Sequence, residues 1–302
     1  MFRFLLFSLI VCTAFCSLAE AQEKKPQPPF QWVSPAPKNA PDYVQHKTFF
    51  SEANKAEVGY CILLPAGYDK PTAKGQRYPV VYWLHGGRPG GEWKAIKMAS
   101  YAKQAMDDKT IPPVIYVFPN GGKLSHYDHG DSKGEQAFLE LIKHVDATYR
   151  TIAERSGRAV EGFSQGGRGT GRYMFKHADL FCSAAPMGGG HQHEKRISES
   201  EGQESETLTI SPPWNNTWDL AKRFAASGQQ QPRILIVDGD ADFNFEANKE
   251  WHEHLTKLGI KNEFIIVPGA KHSATEVYDA VGQQVMQFHV ESFRQSGALK
   301  AK

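Results

Sequence analysis

An α/β fold, with a mainly parallel central sheet of about eight strands and helices on both faces, is predicted by three observations. The runs Val80-Val81-Tyr82-Trp83-Leu84 and Ile234-Leu235-Ile236-Val237 are continuously apolar, as strands covered on both faces have to be. Along most of the chain, strand-length apolar runs alternate with segments of helical length, the order that builds a parallel sheet between helix layers. With 302 residues, 40% hydrophobic and 12% aromatic, there is apolar surface enough for one large core.

In chain order, residues 1–21 combine a basic Arg3, an apolar run from Phe4 to Phe15 and Ala19-Glu20-Ala21, the pattern of a secretory signal cleaved before Gln22. The apolar run is too short for a stable membrane anchor. Residues 22–42 hold six prolines between Pro26 and Pro41, which favours an extended linker without a core of its own. The catalytic domain is expected over 43–298. Strands are predicted at 46–51, 57–64, 78–84, 114–118, 158–163, 181–186, 233–238 and 263–267, the first two as an antiparallel edge. Helices are predicted at 92–106, 135–150, 165–177, 218–226, 244–258 and 273–295. Residues 188–213 break the alternation. This stretch is polar, rich in Glu and Ser, lacks an apolar period, and follows a strand end, so a lid or a wall beside the site is expected there.

The totals exclude some partners. A net charge of +2, from 35 basic and 33 acidic side chains, provides no bulk field for nucleic acid or an anionic membrane. Two of the four cysteines fall in the signal stretch. Cys61 and Cys182 lie in apolar runs and read as buried free thiols, with a single bridge left open for an exported protein.

The chemistry centres on Gly162-Phe163-Ser164-Gln165-Gly166. This is the Gly-x-Ser-x-Gly pattern of a nucleophile elbow, a sharp strand-to-helix turn that exposes a serine hydroxyl. The flanking chain can close on the turn only where Cβ atoms are missing, at Gly162 and Gly166. The N-terminal amides of a helix starting at Gln165 would face a developing negative charge. A serine hydroxyl needs an imidazole to take its proton and a carboxylate to orient that imidazole. In α/β-hydrolase order the acid and then the base follow the serine. His272, in the loop after the last strand, is the candidate base. Asp238, Asp240 and Asp242 compete for the acid at the end of the 233–238 strand. Asp242 is favoured over Asp240, because Asp238 belongs to the strand and a loop aspartate such as Asp240 often shapes a turn. The oxyanion donors are expected from the amides of Gln165 and Gly87, the latter in the loop His85-Gly86-Gly87-Arg88-Pro89-Gly90-Gly91.

Weaker candidates are Tyr127 and Asp128, after a strand end, for an acyl pocket, and Trp93 and Trp214 as walls for a sugar or phenolic ring. Surface or core packing is the alternative for each. The pairs His191/His193 and His252/His254 lack the spacing of a metal site, so neither metal nor cofactor is expected.

Taken together, the stretches Tyr78–Gly87, Phe118-Pro119-Asn120-Gly121-Gly122, Glu140-Leu141-Ile142 and 144–151 resemble the esterase D/feruloyl esterase branch of the α/β hydrolases. The likeness continues through 158–167, Asp179-Leu180-Phe181, 239–243 and 269–272. The resemblance implies the α/β-hydrolase fold and maps the acid onto Asp242 and the base onto His272. It weakens at 188–213, where members of such enzymes vary. What it implies is a secreted or periplasmic serine carboxylic-ester hydrolase that works through an acyl-enzyme and removes acetyl or feruloyl groups from polysaccharide. Alternatives are a siderophore-ester hydrolase or acyltransferase with the same triad, or a non-catalytic binding protein on this scaffold.

Overall fold

The computed structural model describes residues 29–301; the signal stretch 1–21 lies outside them. Eight strands form one sheet: β1 (Gln45–Ser51), β2 (Ala56–Leu63), β3 (Val80–Leu84), β4 (Ile115–Pro119), β5 (Arg158–Phe163), β6 (Ser183–Met187), β7 (Arg233–Gly239) and β8 (Glu263–Val267). Their spatial order is β1-β2-β4-β3-β5-β6-β7-β8. β1 and β2 form the antiparallel edge, and every pairing from β4 through β3 to β8 is parallel.

The continuous apolar runs are explained by the pleat, which sends alternate residues to opposite faces. In β3, Val80, Tyr82 and Leu84 join one buried cluster while Val81 and Trp83 join another. Helices α1 (Met98–Asp107) and α7 (Ala274–Gln295) cover the second face. On the first lie α2 (Gly134–Thr148), α3 (Gln165–Lys176), α5 (Thr217–Ala225) and α6 (Phe245–Lys257). Asn216 caps α5 by accepting from the amides of Trp218 and Asp219, and Ser273 caps α7 through the amide of Glu276, satisfying first-turn donors that helix geometry leaves open.

Three segments differ from expectation. The helix expected from 92 begins only at Met98. Residues 91–98 form successive tight turns, and Glu92 is wholly buried, its carboxylate accepting from the Ser34 amide and the Asn120 side chain. A side chain pinned that way fixes a local backbone path that a regular helix would not follow. In the proline-rich stretch, the Trp32 carbonyl accepts from the Gly59 amide at 2.7 Å, and Trp32 packs against the core. The packed body therefore reaches upstream of residue 43. Residues 188–213 contain a helix, α4 (His191–Glu199), and a short hairpin pairing 203–205 with 208–209.

Cys61 and Cys182 are free and buried. Cys61 lies on β2 and Cys182 enters β6, with β4, β3 and β5 between them. Four strand spacings amount to roughly 19 Å, far beyond the ~7 Å that a bridge spans.

Candidate active site

β5 delivers Ser164 to the carboxyl rim of the sheet. Its backbone sits at φ 59°, ψ −117°, a region costly for any residue with a Cβ and retained only where surrounding structure enforces it. Both flanking glycines are needed for that turn. A Cβ on Gly162 would come within 2.6 Å of the Leu84 carbonyl oxygen, and one on Gly166 within 2.0 Å of the same atom. Gly166→Ala is accordingly expected to destabilise the fold by about 3 kcal/mol or more, read by chemical denaturation; an unchanged midpoint would contradict the close approach.

Three elements then converge. Asp242 follows β7 and His272 follows β8. His272 Nδ1 donates to Asp242 Oδ2 at 2.7 Å, and His272 Nε2 lies 2.9 Å from Ser164 Oγ. The Asp242 side chain is fully buried and that of His272 is 23% exposed. The imidazole is flanked by Phe163 and Phe243, with ring centroids at 4.9 and 4.3 Å. With the Nδ1 proton committed to the carboxylate, Nε2 presents its lone pair to the serine hydroxyl.

The two neighbouring aspartates have other work. Asp240 Oδ1 accepts from the Gly269 amide, pinning the turn that carries His272. Asp238 accepts from the Gly239 amide and from Asn248. Burial, and then the Asp242 carboxylate beside it, push Asp238 up to about 8, which favours its neutral form behind Asp242.

Facing the serine is the loop 85–91. Gly87, at φ 71°, lines a cavity of about 430 Å³ together with Ser164, His272, Trp83, Phe163 and Met98. Gln165 is the first residue of α3, and its amide has no preceding helical turn to bond. The loop is held from behind by His85, which burial lowers to about 4 and thus keeps neutral. In that form Nδ1 donates to the Gly86 carbonyl at 3.1 Å, while Nε2 accepts from the amides of Gly91 and Gly121 at 3.3 and 3.1 Å. Behind it, His126 Nε2 donates to the His85 carbonyl at 2.9 Å.

The weaker candidates lie elsewhere. Tyr127 is completely buried, stacked under the Arg172 guanidinium at 3.4 Å with its hydroxyl on Glu194. Asp128 accepts from the amides of Glu135 and Gln136 and so caps α2. Trp93 packs on His46, and Trp214 lies under Arg223 on the α5 side. None of the four lines the cavity. Each carries a polar tip or a broad ring that satisfied a structural need first.

The sequence reading missed a buried ion cluster. Glu194 of α4 accepts from Arg168 Nε at 2.8 Å and Arg172 Nη1 at 2.9 Å, both on α3, and from the Thr217 amide at 2.8 Å. Glu204 of the short hairpin accepts from Arg168 and from Arg88, the residue after Gly87. The 188–213 segment is thereby tied both to the serine's helix and to the facing loop. The signal available was the pair Arg168 and Arg172, one helical turn apart on a helix that must be buried beneath the sheet's rim. Buried guanidiniums need carboxylates, and the acid-rich segment follows directly.

With this geometry established, the Esterase family model matches residues 51–279. The chain belongs to the Esterase family. Among curated members of similar sequence, Esterase Rv1288 of Mycobacterium tuberculosis is 33% identical over 245 residues, 70% of this chain and 52% of that protein. An endo-1,4-beta-xylanase/feruloyl esterase of Xylanibacter ruminicola is 28% identical over 167 residues, 52% of this chain and 23% of its own length. The chain thus spans about half the length of the first of these curated relatives, and less of the second. Of solved structures, a ferulic acid esterase superposes with TM-score 0.67 at 24% identity, covering 82% of this chain and 98% of that one. FphF, a fluorophosphonate-binding serine hydrolase of Staphylococcus aureus, superposes with TM-score 0.69 at 17% identity and the same coverage. The fold of this Esterase-family chain is therefore the one those hydrolases share.

Proposed function

We propose that the chain is a serine carboxylic-ester hydrolase working through an acyl-enzyme, exported after cleavage of residues 1–21, and that it removes acetyl or feruloyl groups from polysaccharide. The observation that carries the reading is the continuous relay from Asp242 through His272 to Ser164 Oγ, at 2.7 and 2.9 Å. In the first half-reaction Ser164 Oγ attacks the ester carbonyl carbon and its proton passes to His272 Nε2. The tetrahedral oxyanion lies toward the amides of Gln165 and Gly87. As it collapses, the alcohol leaves with the proton from His272, and Ser164 is left acylated. Water, deprotonated by the same imidazole, then releases the acid. The catalytic unit is assigned to 43–298, with the stretch around Trp32 and Ser34 packed onto it.

The substrate half of the reading draws on the relatives named for feruloyl esterase activity, and on the export pattern at the N-terminus, which suits an extracellular polymer. An intact relay speaks against a binding protein that has lost turnover.

The test is active-site labelling with a fluorophosphonate, together with turnover of aryl acetate, feruloyl esters and acetylated xylan, on mature protein and Ser164→Ala in parallel. Wild type is expected to label and to hydrolyse the esters, and Ser164→Ala to do neither. Equal turnover by the two proteins would remove Ser164 from the mechanism. Turnover of aryl acetate with no release of acetate or ferulate from polysaccharide would leave the esterase and discard the polymer.

A further inference from the structure

The cavity beside Ser164 carries an unbalanced charge. Two lysines, Lys94 and Lys97, line it, and among the described residues no aspartate or glutamate does. Lys94 Nζ donates to the Pro89 carbonyl at 2.7 Å. It lies 3.3 Å from where a Cβ on Gly87 would be, so the ammonium stands next to the proposed oxyanion donor. Among the described residues its only hydrogen-bond acceptor is that uncharged carbonyl. Lys97 stands one turn further along, exposed, where the chain enters α1.

The start of α1 adds few free donors of its own, so the charge on this wall comes from the two side chains. The amides of Met98, Ala99 and Ser100 are already bonded to the carbonyls of Ala95, Ile96 and Lys97. The remaining wall is largely apolar, with Trp83, Met98 and Phe163. The surface is therefore shaped for a ligand with an apolar body and an anionic end. A single lysine at a surface means little, since most are simply solvated. Two in one concave site, next to the reacting hydroxyl and with Asp242 shielded behind His272 as the nearest acid named at the site, raise the local concentration of anionic substrates and favour their bound state.

We propose that Lys94 and Lys97 make this cavity a carboxylate-selecting subsite, so that, of two otherwise matched esters, the one bearing a free carboxylate on the acyl or the alcohol half gains in kcat/KM from these lysines. The proposal rests on the esterase reading above. Lys97 is the residue to change, because Lys94 also holds the Pro89 carbonyl and its loss would disturb the loop carrying Gly87.

Two matched substrate pairs test it. For the acyl half these are p-nitrophenyl hemisuccinate and its methyl ester; for the alcohol half, p-acetoxybenzoate and its methyl ester. Each pair gives a ratio of kcat/KM for the anionic over the neutral member. In at least one pair the wild-type ratio is expected to fall about 3-fold in Lys97→Met and about 10-fold in Lys97→Glu. Raising salt from about 20 mM to about 0.5 M should bring wild type toward Lys97→Met. The pair that responds identifies the half of the substrate that the subsite reads. Ratios that stay the same across variants and salt, with all four esters turned over, would overturn the proposal and leave the esterase intact. No turnover of any ester, with Ser164 refusing the fluorophosphonate label, would bring down both.

Discussion

Replacing His272 with alanine is expected to lower kcat for an aryl acetate by about a thousand- to ten-thousand-fold, with little change in KM. The imidazole is the only group within hydrogen-bond distance of Ser164 Oγ among the described side chains, so in the proposed mechanism its loss removes both the base for attack and the acid for the leaving alcohol. Asp242→Asn should fall nearly as far for a different reason. The amide would donate toward Nδ1 where the carboxylate accepts, and the favoured tautomer would then carry its proton on Nε2, unable to take one from the serine. Two neighbouring substitutions separate this from generic damage to an acidic turn. Asp238→Asn removes a charge that burial disfavours and keeps one acceptor oxygen for the Gly239 amide, and Asp240→Asn keeps an oxygen for the Gly269 amide. Both are expected to retain activity within about 10-fold. Steady-state kinetics on the four variants checks the set. An Asp240→Asn loss as deep as that of Asp242→Asn would reassign the acid.

Why Ser164, His272 and Asp242 could be read from the sequence, and the cavity wall could not, follows from how each is specified. The elbow is local: two glycines and a serine must fit one strained turn, and the helix that follows begins at Gln165 whatever the rest of the molecule does. Asp242 and His272 are placed by strand ends, and the eight strands were legible because parallel strands covered on both faces leave unbroken apolar runs. Of the competing aspartates, Asp242 is the one that reaches His272, while Asp240 bonds the Gly269 amide in a turn. Tyr127 and Asp128 stand out in the sequence for following a strand end, and Trp93 and Trp214 for their rings, but none of the four lines the cavity; packing or capping holds each elsewhere. Lys94 and Lys97 were overlooked for the converse reason. The stretch from 92 resembled a helix, and only its turns, set by the buried Glu92, bring those side chains to the cavity. The 188–213 segment shows no apolar period because the buried charges of Glu194 and Glu204 share its inner face with two widely spaced apolar residues, Ile197 and Ile210.

That segment supplies the largest expected effect on stability. Glu194→Gln should destabilise the fold by about 3–5 kcal/mol at neutral pH, because it leaves the buried guanidiniums of Arg168 and Arg172 without their shared countercharge. For a domain of this size the loss corresponds to roughly 5–10 °C in Tm. Burial by itself would push the Glu194 carboxyl up; the Arg172 and Arg168 guanidiniums outweigh it and hold the group at about 2. A carboxyl depressed in the folded state contributes stability that is fully present above its unfolded value of about 4.3 and is lost as pH falls through the folded one. The Tm gap between wild type and Glu194→Gln should therefore be constant from pH 7 down to about 5 and narrow below it. The companion is Glu194→Met with Arg172→Met, which removes charge from both sides and should recover part of the loss, since a buried pair replaced by apolar groups costs far less than one broken in half. Calorimetric scans of the three proteins decide it. A Glu194→Gln protein as stable as wild type at pH 7 would mean that the cluster is solvated, and that the 188–213 segment is not clamped to the helix carrying Ser164.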